Sequence, residues 1–384
     1  MTERGFVLWK SGNDEPIVAR IAIAGDFLPA GKLELSPHSA WSDATSALAP
    51  HFEDVTTAFV NLECPIDTAG LTARKLVGLG QIVSAAPASL DYLGAIRSVA
   101  VGFANNHSYD FGAAGVERTR QALGHRNLVL VGAERSATSP PDVFVWSGPA
   151  AVRVGFWAAA KASHDLARSG SAGVEPATLR RAKRALALMK LHGARFSIAL
   201  LHAGVLRTNR PDPADVRLMG SMARIGFDIV AASHSHRVSG SNLLDVAQTR
   251  PAFCFYGLGS IVSGYIASPI EREGLIVVAG LKACGGLASL EVRPVSLAAS
   301  GFGEIPSEET GRAILSRFRQ LSVEIADGSW KKLFYQEVSE NLVKLYLRDA
   351  RAAFRDSGIR GLARKTGRIR MRHLRRLTHG LFPR

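Results

Sequence analysis

The chain has 384 residues, of which 47% are hydrophobic and 21% are charged, so it can form one large domain with an appendage or two domains, and it is too apolar for a disordered protein. Its formal net charge is +14, but residues 348–384 alone contain 12 Lys and Arg against two Asp, a surplus of 10. The other residues carry a surplus of only about four, which argues against nucleic-acid binding by the fold as a whole.

Short apolar runs alternate with helical patterns over the first 265 residues, which predicts the α/β class. The runs are rich in β-branched or aromatic residues, as expected for strands buried on both faces. In chain order, we predict strand Ile21–Ala24, strand Ala58–Val60, helix Ala88–Ser98, strand Val99–Ala104, helix Gly115–His125, helix Glu175–His192, strand Phe196–Leu201 and strand Phe227–Ala232.

The remaining sequence divides into two further strands, a helical region and a tail. Gly274–Val278 and Leu287–Leu297 are the predicted strands, and a helical pattern begins at Glu308. We predict four segments: an N-terminal segment at 1–18, the main domain at 19–305, a helical extension at 306–350 and a basic tail at 351–384. One apolar face of the extension predicts packing on the main domain, through Leu333, Phe334, Val338, Leu342, Leu345 and Tyr346.

The cysteines and the apolar runs predict a cytoplasmic location. Cys64, Cys254 and Cys284 form no CxxC pair, so neither a zinc knuckle nor a disulfide framework is indicated. The four-residue run Phe6–Trp9 is too short for a signal peptide, and no run approaches the roughly 20 apolar residues of a membrane helix.

Residue types that bind metals follow five of the predicted strands. The carboxyl ends of strands are where sites assemble in open α/β sheets, so we expect these side chains to meet. Mixed carboxylate, amide and imidazole ligands suit Mn, Fe, Zn or Co. If the His-x-His segment is extended, both imidazoles point to one face and can reach two neighbouring ions. The residues are Asp26, Glu63, Asn106, His107, His202, His234 and His236.

Four segments around these residues resemble, in order, the motifs of a known family. They are Gly25-Asp26, Asn61-Leu62-Glu63-Cys64-Pro65, Ala104-Asn105-Asn106-His107-Ser108-Tyr109-Asp110-Phe111-Gly112 and His234-Ser235-His236-Arg237-Val238. The family is CapA, the bacterial capsule or poly-γ-glutamate biosynthesis proteins of the calcineurin-like metallophosphoesterase superfamily. The resemblance covers about residues 17–300 and implies a four-layer α/β/β/α sandwich.

The resemblance also implies roles for individual residues. Asp26 and His236 would bind one divalent ion, Glu63 would bridge, and the other ion would be bound by Asn106, His202 and His234. His107 would act as general acid or transition-state stabiliser, and Asp110 would orient it. The implied reaction is attack on a phosphoester by a water that two ions activate.

The chain departs from the family pattern on the substrate side. His202-Ala203-Gly204-Val205 stands where the family has His-Trp-Gly and an acidic residue, Ser235 replaces Pro, and Ser260 replaces Asn. An anionic substrate could contact Arg207 and Arg210, for which a solvated loop is the alternative.

Two further functions stay open at this point. One is a γ-glutamyl amide hydrolase or transferase acting on capsule polymer, and the other is a non-catalytic scaffold for polysaccharide assembly. A scaffold would depend on the tail, where Leu374, Leu377 and Leu381 recur at helical spacing among arginines. That pattern predicts peripheral contact with the inner face of the membrane, with a solvated or disordered tail, or contact with nucleic acid, as the alternatives.

Overall fold

The computed structural model describes residues 5–12, 15–34, 36–73, 81–134, 136–161, 165–246 and 250–340. The basic tail, with its predicted membrane contact, lies outside this part of the chain. So do three residues of the predicted apolar face, Leu342, Leu345 and Tyr346.

Nine strands form the larger sheet. They are β1 (Phe6–Lys10), β2 (Ala19–Leu28), β3 (Thr57–Leu62), β4 (Ser98–Gly102), β5 (Val129–Val131), β14 (Ser260–Ser263), β15 (Glu273–Leu281), β16 (Leu287–Leu297) and β17 (Gly303–Glu304). Their order is β1-β16-β15-β2-β3-β4-β5, with β14 pairing with β2 and β17 with β16. Strands β2 to β5 and β14 run parallel, while β1, β15, β16 and β17 add antiparallel pairs.

Six strands form the second sheet. They are β7 (Val143–Ser147), β8 (Arg153–Ala160), β10 (Phe196–His202), β11 (Ile229–Ser233), β12 (Ser241–Val246) and β13 (Arg250–Phe255), and a separate two-stranded pair consists of β6 (Ala133–Glu134) and β9 (Gly173–Val174). The order of the six strands is β12-β13-β11-β10-β8-β7. The four central strands are parallel, and β7 and β12 are antiparallel edges.

Most helices cover the outer faces of the two sheets, while the helix Glu308–Asp327 packs into the layer between the sheets. Their bounds are α1 (His38–Leu48), α2 (Asp91–Ala95), α3 (Gly112–Gly124), α4 (Leu179–Leu191), α5 (Pro213–Ile225), α6 (Glu308–Asp327) and α7 (residues 330–340). Local sequence signals set both ends of α5. Asp212 caps its first turn, because its side chain accepts a hydrogen bond of 2.8 Å from the backbone N–H of Ala214. Gly226 ends the helix with a φ of 118°, in the left-handed region.

Three apolar layers hold the sandwich together. The first lies between the larger sheet and α1 to α3, the second lies between the two sheets, and the third lies between the second sheet and α4, α5 and α7. In the middle layer, the rings of Phe59 and Phe156 lie 4.4 Å apart. Phe334 and Val338 of α7 are buried in the third layer. This order of layers is α/β/β/α and confirms the predicted fold class.

Some predicted elements differ in their limits. Strand β2 continues through Asp26 to Leu28, because its backbone still pairs with β3 and β14 at that point. The predicted helix Ala88–Ser98 is instead a 3₁₀ helix, Pro87–Leu90, followed by the short α2, since Ser98 begins β4. Helices α1 and α5 and strand β8 were not among the predicted elements.

The predicted division into four segments stays a prediction. Phe6–Lys10, within the N-terminal segment, pairs as β1 with β16, and α6 begins within the helical extension. In the part of the chain that the structure describes, each helix is too short or too polar to cross a bilayer.

Candidate metal centre

The ends of four strands bring the candidate ligands to one edge of the two sheets. Asp26 lies near the end of β2, Glu63 follows β3, His202 is the last residue of β10, and His234 follows β11. The backbone of Gly25 lies close to the backbone of Gly259 at this edge. A Cβ at Gly25 would lie 2.0 Å from the carbonyl oxygen of Gly259. Glycine is therefore required where β2 meets the segment that precedes β14.

One buried group of potential ligands contains Asp26, Glu63 and His236, whose ligand atoms lie within 4.8 Å of one another. His236 Nδ1 lies 3.0 Å from Asp26 Oδ2 and 3.7 Å from Glu63 Oε2. Two carboxylates thus face one imidazole in a site where Asp26 and Glu63 are buried and the His236 side chain is 18% exposed, which favours a positive charge between the carboxylates.

A second group contains Glu63, His202 and His234 within the same limit, so Glu63 belongs to both groups. His202 Nε2 lies 3.4 Å from Glu63 Oε1 and 2.6 Å from Asn106 Oδ1, which adds an amide oxygen to this group. The structure therefore brings together all six residues that the sequence predicts as metal ligands. Their function as ligands stays a prediction.

The His234-Ser235-His236 segment is not extended, so the expectation of two imidazoles on one strand face was wrong. The φ angle is 114° at His234 and 55° at His236, both in the left-handed region. Residues other than glycine are held there only when their surroundings fix the backbone, and such positions are common at functional sites. The turn lets the two rings contribute to different groups.

The three histidines differ in the direction in which burial and neighbouring charges shift their pKa values. Burial lowers the pKa of His202 well below its usual value, and burial with the charge of His236 lowers that of His234 to about 3. For His236, burial acts in the same direction, but Glu63 and the hydrogen bond to Asp26 outweigh it and raise the pKa to about 9. The neutral imidazoles of His202 and His234 are in the form that binds metals.

The donor set fits divalent ions. It consists of two carboxylates, three imidazoles and one amide oxygen, a combination typical of Mn, Fe, Zn or Co. His234 Nδ1 is buried and has no hydrogen-bond partner among the described residues, as expected for an atom placed to coordinate an ion.

His107 and Asp110 form a pair beside these groups. His107 Nδ1 lies 2.9 Å from Asp110 Oδ2, and the same oxygen accepts a hydrogen bond from the backbone of Val83. The His107 side chain is 12% exposed, whereas that of Asp110 is fully buried. Asp110 therefore fixes one ring nitrogen of His107.

Two asparagines that the sequence analysis did not assign belong to the hydrogen-bond network around the candidate ligands. Asn61 Nδ2 donates to Asp26 Oδ1 at 2.7 Å and lies 3.3 Å from His202 Nδ1. Asn105 Nδ2 donates to the Leu62 carbonyl at 2.7 Å, and its Oδ1 accepts from the His107 backbone. Asn61 is two residues before Glu63, and Asn105 is adjacent to Asn106. These positions within the quoted motifs are the signal by which the sequence could have pointed to both asparagines.

Ser260 also lies at the centre, where the family pattern has Asn. It is the strand partner of Asp26, and its Oγ lies 3.5 Å from His236 Nδ1. The departure from the family pattern therefore changes a side chain at the first ligand group.

The two loop arginines differ in their surroundings. Arg207 is 44% exposed, its guanidinium lies 3.3 Å from Glu271, and its backbone donates to the carbonyl oxygen of Ser235. Arg210 makes two hydrogen bonds to Glu324, at 2.8 and 3.0 Å. Substrate contact stays a prediction for both residues, and Arg207 is the more accessible.

Comparison with known proteins identifies the family. The model for "Bacterial capsule synthesis protein PGA_cap" matches residues 20–265, more than half of the chain. The chain belongs to this family. The PGA_cap match spans all the ligand residues named above and ends before β15.

Relatives of this PGA_cap chain agree with that assignment. The capsule biosynthesis protein CapA of Bacillus anthracis is 26% identical over 240 residues, which cover 60% of this chain and 54% of that protein. The chain thus matches about half the length of its curated relative.

Two of the solved structures that resemble the chain are a phosphoesterase and a nucleotidase. The calcineurin-like phosphoesterase YfkN from Bacillus subtilis is 15% identical, with a TM-score of 0.44. The match covers 81% of this chain and 99% of the YfkN chain. A 5'-nucleotidase precursor from Thermus thermophilus is 13% identical, with a TM-score of 0.45. The match covers 79% of this chain and 58% of the nucleotidase chain. These proteins resemble the PGA_cap chain in fold only.

Proposed function

We propose that the protein is a metal-dependent phosphoesterase that acts in capsule synthesis. The observation that carries this proposal is the position of Glu63, which belongs to both buried ligand groups. A shared carboxylate is what a centre with two divalent ions requires, and such ions supply an activated water and positive charge for an anionic transition state. The PGA_cap family supports the connection with the capsule.

The protein's own residues have separate tasks in this proposal. Asp26 and Glu63 provide negative charge, while His202 and His234 stay neutral in their buried positions. His107 donates a proton to the leaving oxygen through Nε2, because its Nδ1 is held by Asp110. Arg207, at the rim, contacts an anionic part of the substrate.

Hydrolysis of an aryl phosphate with a basic leaving group, such as phenyl phosphate, with added Mn²⁺, tests this function. We expect turnover that depends on the metal and falls about 100-fold or more in His107→Ala, since a general acid typically contributes 10²–10⁴-fold. The matched control is His125→Ala, because His125 lies at the end of α3 and is exposed. Equal turnover in wild type and His107→Ala would contradict the role of His107.

The second candidate, a γ-glutamyl amide hydrolase, is tested with poly-γ-glutamate as the substrate under the same metals. Ala203 and Val205 leave the substrate side without the Trp and the acidic residue of the family pattern. Release of product from poly-γ-glutamate, with no turnover of phosphoesters under any metal, would replace the phosphoesterase proposal.

A further inference from the structure

Two carboxylates from the C-terminal helices contact the loops that carry the candidate ligands. Glu324 lies on α6 and Glu337 on α7, both beyond residue 265, where the family match ends. One contacted loop, residues 203–212, follows His202, and the other, residues 234–238, contains His234 and His236.

Glu337 reaches both loops. Its Oε1 accepts from the backbone N–H of Asn209 at 2.8 Å and from Arg237 Nη1 at 3.4 Å. Its Oε2 lies 3.6 Å from Arg210 Nη1. The Glu337 side chain is only 15% exposed, so these interactions are poorly screened by water.

Asn209 joins the two loops directly. Its Nδ2 donates to the carbonyl oxygen of Val238 at 2.8 Å, and its Oδ1 accepts from Arg237 Nη1 at 3.3 Å. Arg237 is adjacent to His236 in the chain, so the position of its guanidinium restricts the backbone that carries His236. Glu324 strengthens the connection through its two hydrogen bonds to Arg210.

The backbone at His236 requires such support. Its φ of 55° is unfavourable for a residue other than glycine, and such conformations persist only where the surrounding structure fixes the backbone. We infer that Glu337 is a positioning residue of the metal centre, which fixes Asn209 and Arg237 and thereby holds the His-Ser-His turn in its binding conformation. The inference rests on the proposed function in one respect, that the centre binds divalent ions.

Cobalt(II) titration followed by visible absorption tests this role, because the spectrum reports the geometry of the ion's ligands as well as its affinity. Wild type is compared with Glu337→Ala, Glu337→Gln and Glu340→Gln. Glu340 is exposed on the same helix and provides the matched control. Thermal unfolding of the metal-free proteins measures any general loss of stability separately.

We expect Glu337→Ala to weaken cobalt binding by about 10- to 100-fold and to change the absorption spectrum, as is typical for residues that support metal ligands. Glu337→Gln retains an oxygen for the Asn209 N–H and should lie between Glu337→Ala and wild type, while Glu340→Gln should match wild type. If the alanine variant does not fold, Glu337→Gln and Asn209→Ala decide the question by the same two readouts.

The outcomes separate this inference from the proposed function. Unchanged affinity and spectrum in the Glu337 variants, with a lower unfolding temperature, would show a purely structural role and overturn the inference alone. A wild-type protein that binds no cobalt would overturn both.

Discussion

At the scale of single residues, burial decides which side chains can react. Cys64 follows Glu63 directly, yet it is fully buried, and burial together with the Glu63 charge raises its thiol pKa well above the usual value. Burial also raises the pKa of Cys254 to about 12, whereas Cys284 is exposed. A protonated, buried thiol is a poor nucleophile, so Cys64 serves packing in the layer beneath α1 to α3.

We therefore predict that one of the three cysteines reacts with a thiol reagent in the native protein at pH 8. Mass spectrometry after brief exposure to iodoacetamide should locate the label on Cys284, and Cys64→Ala should retain the hydrolytic rate within about threefold. Rapid labelling of Cys64, together with loss of activity in Cys64→Ala, would favour a cysteine nucleophile instead.

At the scale of elements, a buried ion pair fixes α4 against the segment that precedes it. Arg181 on α4 and Glu175 form two hydrogen bonds at 2.5 Å, and their side chains are 1% and 0% exposed. Arg181 Nη1 also donates to the carbonyl oxygens of Ala137 and Ser139. Removal of one partner would leave a charge buried without compensation.

Glu175→Gln should lower the free energy of unfolding by about 3–5 kcal/mol. The control is Asp67→Asn, since Asp67 pairs with Arg118 on the surface, where such pairs contribute about 0–1 kcal/mol. Urea denaturation of the metal-free proteins measures both values. Similar small losses in the two variants would show that the Glu175–Arg181 pair is not important for stability.

At the scale of the whole molecule, the sequence predicts which polar side chains meet at the centre better than it predicts the pairing of the strands that bring them together. These candidate ligands are visible because polar groups such as Glu63 and His202 interrupt apolar runs at the ends of strands. Asn61 and Asn105 are polar residues of the same segments, and their function depends on contacts between strands that are distant in sequence.

The arrangement of the two sheets could not be read from periodicity. Strand β2 pairs with β3, β14 and β15, which lie up to about 260 residues away in the chain, and local patterns contain no information on such partners. The turn at His236 was missed for the same reason, because its conformation is imposed by surrounding loops.

Elemental analysis tests the central claim most directly. The protein should be purified without chelators or a metal-affinity tag, and wild type should be compared with His234→Ala. We expect about two transition-metal ions per chain in wild type and fewer in the variant, because His234 belongs to the second ligand group. A wild-type protein that contains no metal, and that also fails to bind added Mn²⁺ or Zn²⁺, would contradict the claim and favour the non-catalytic scaffold.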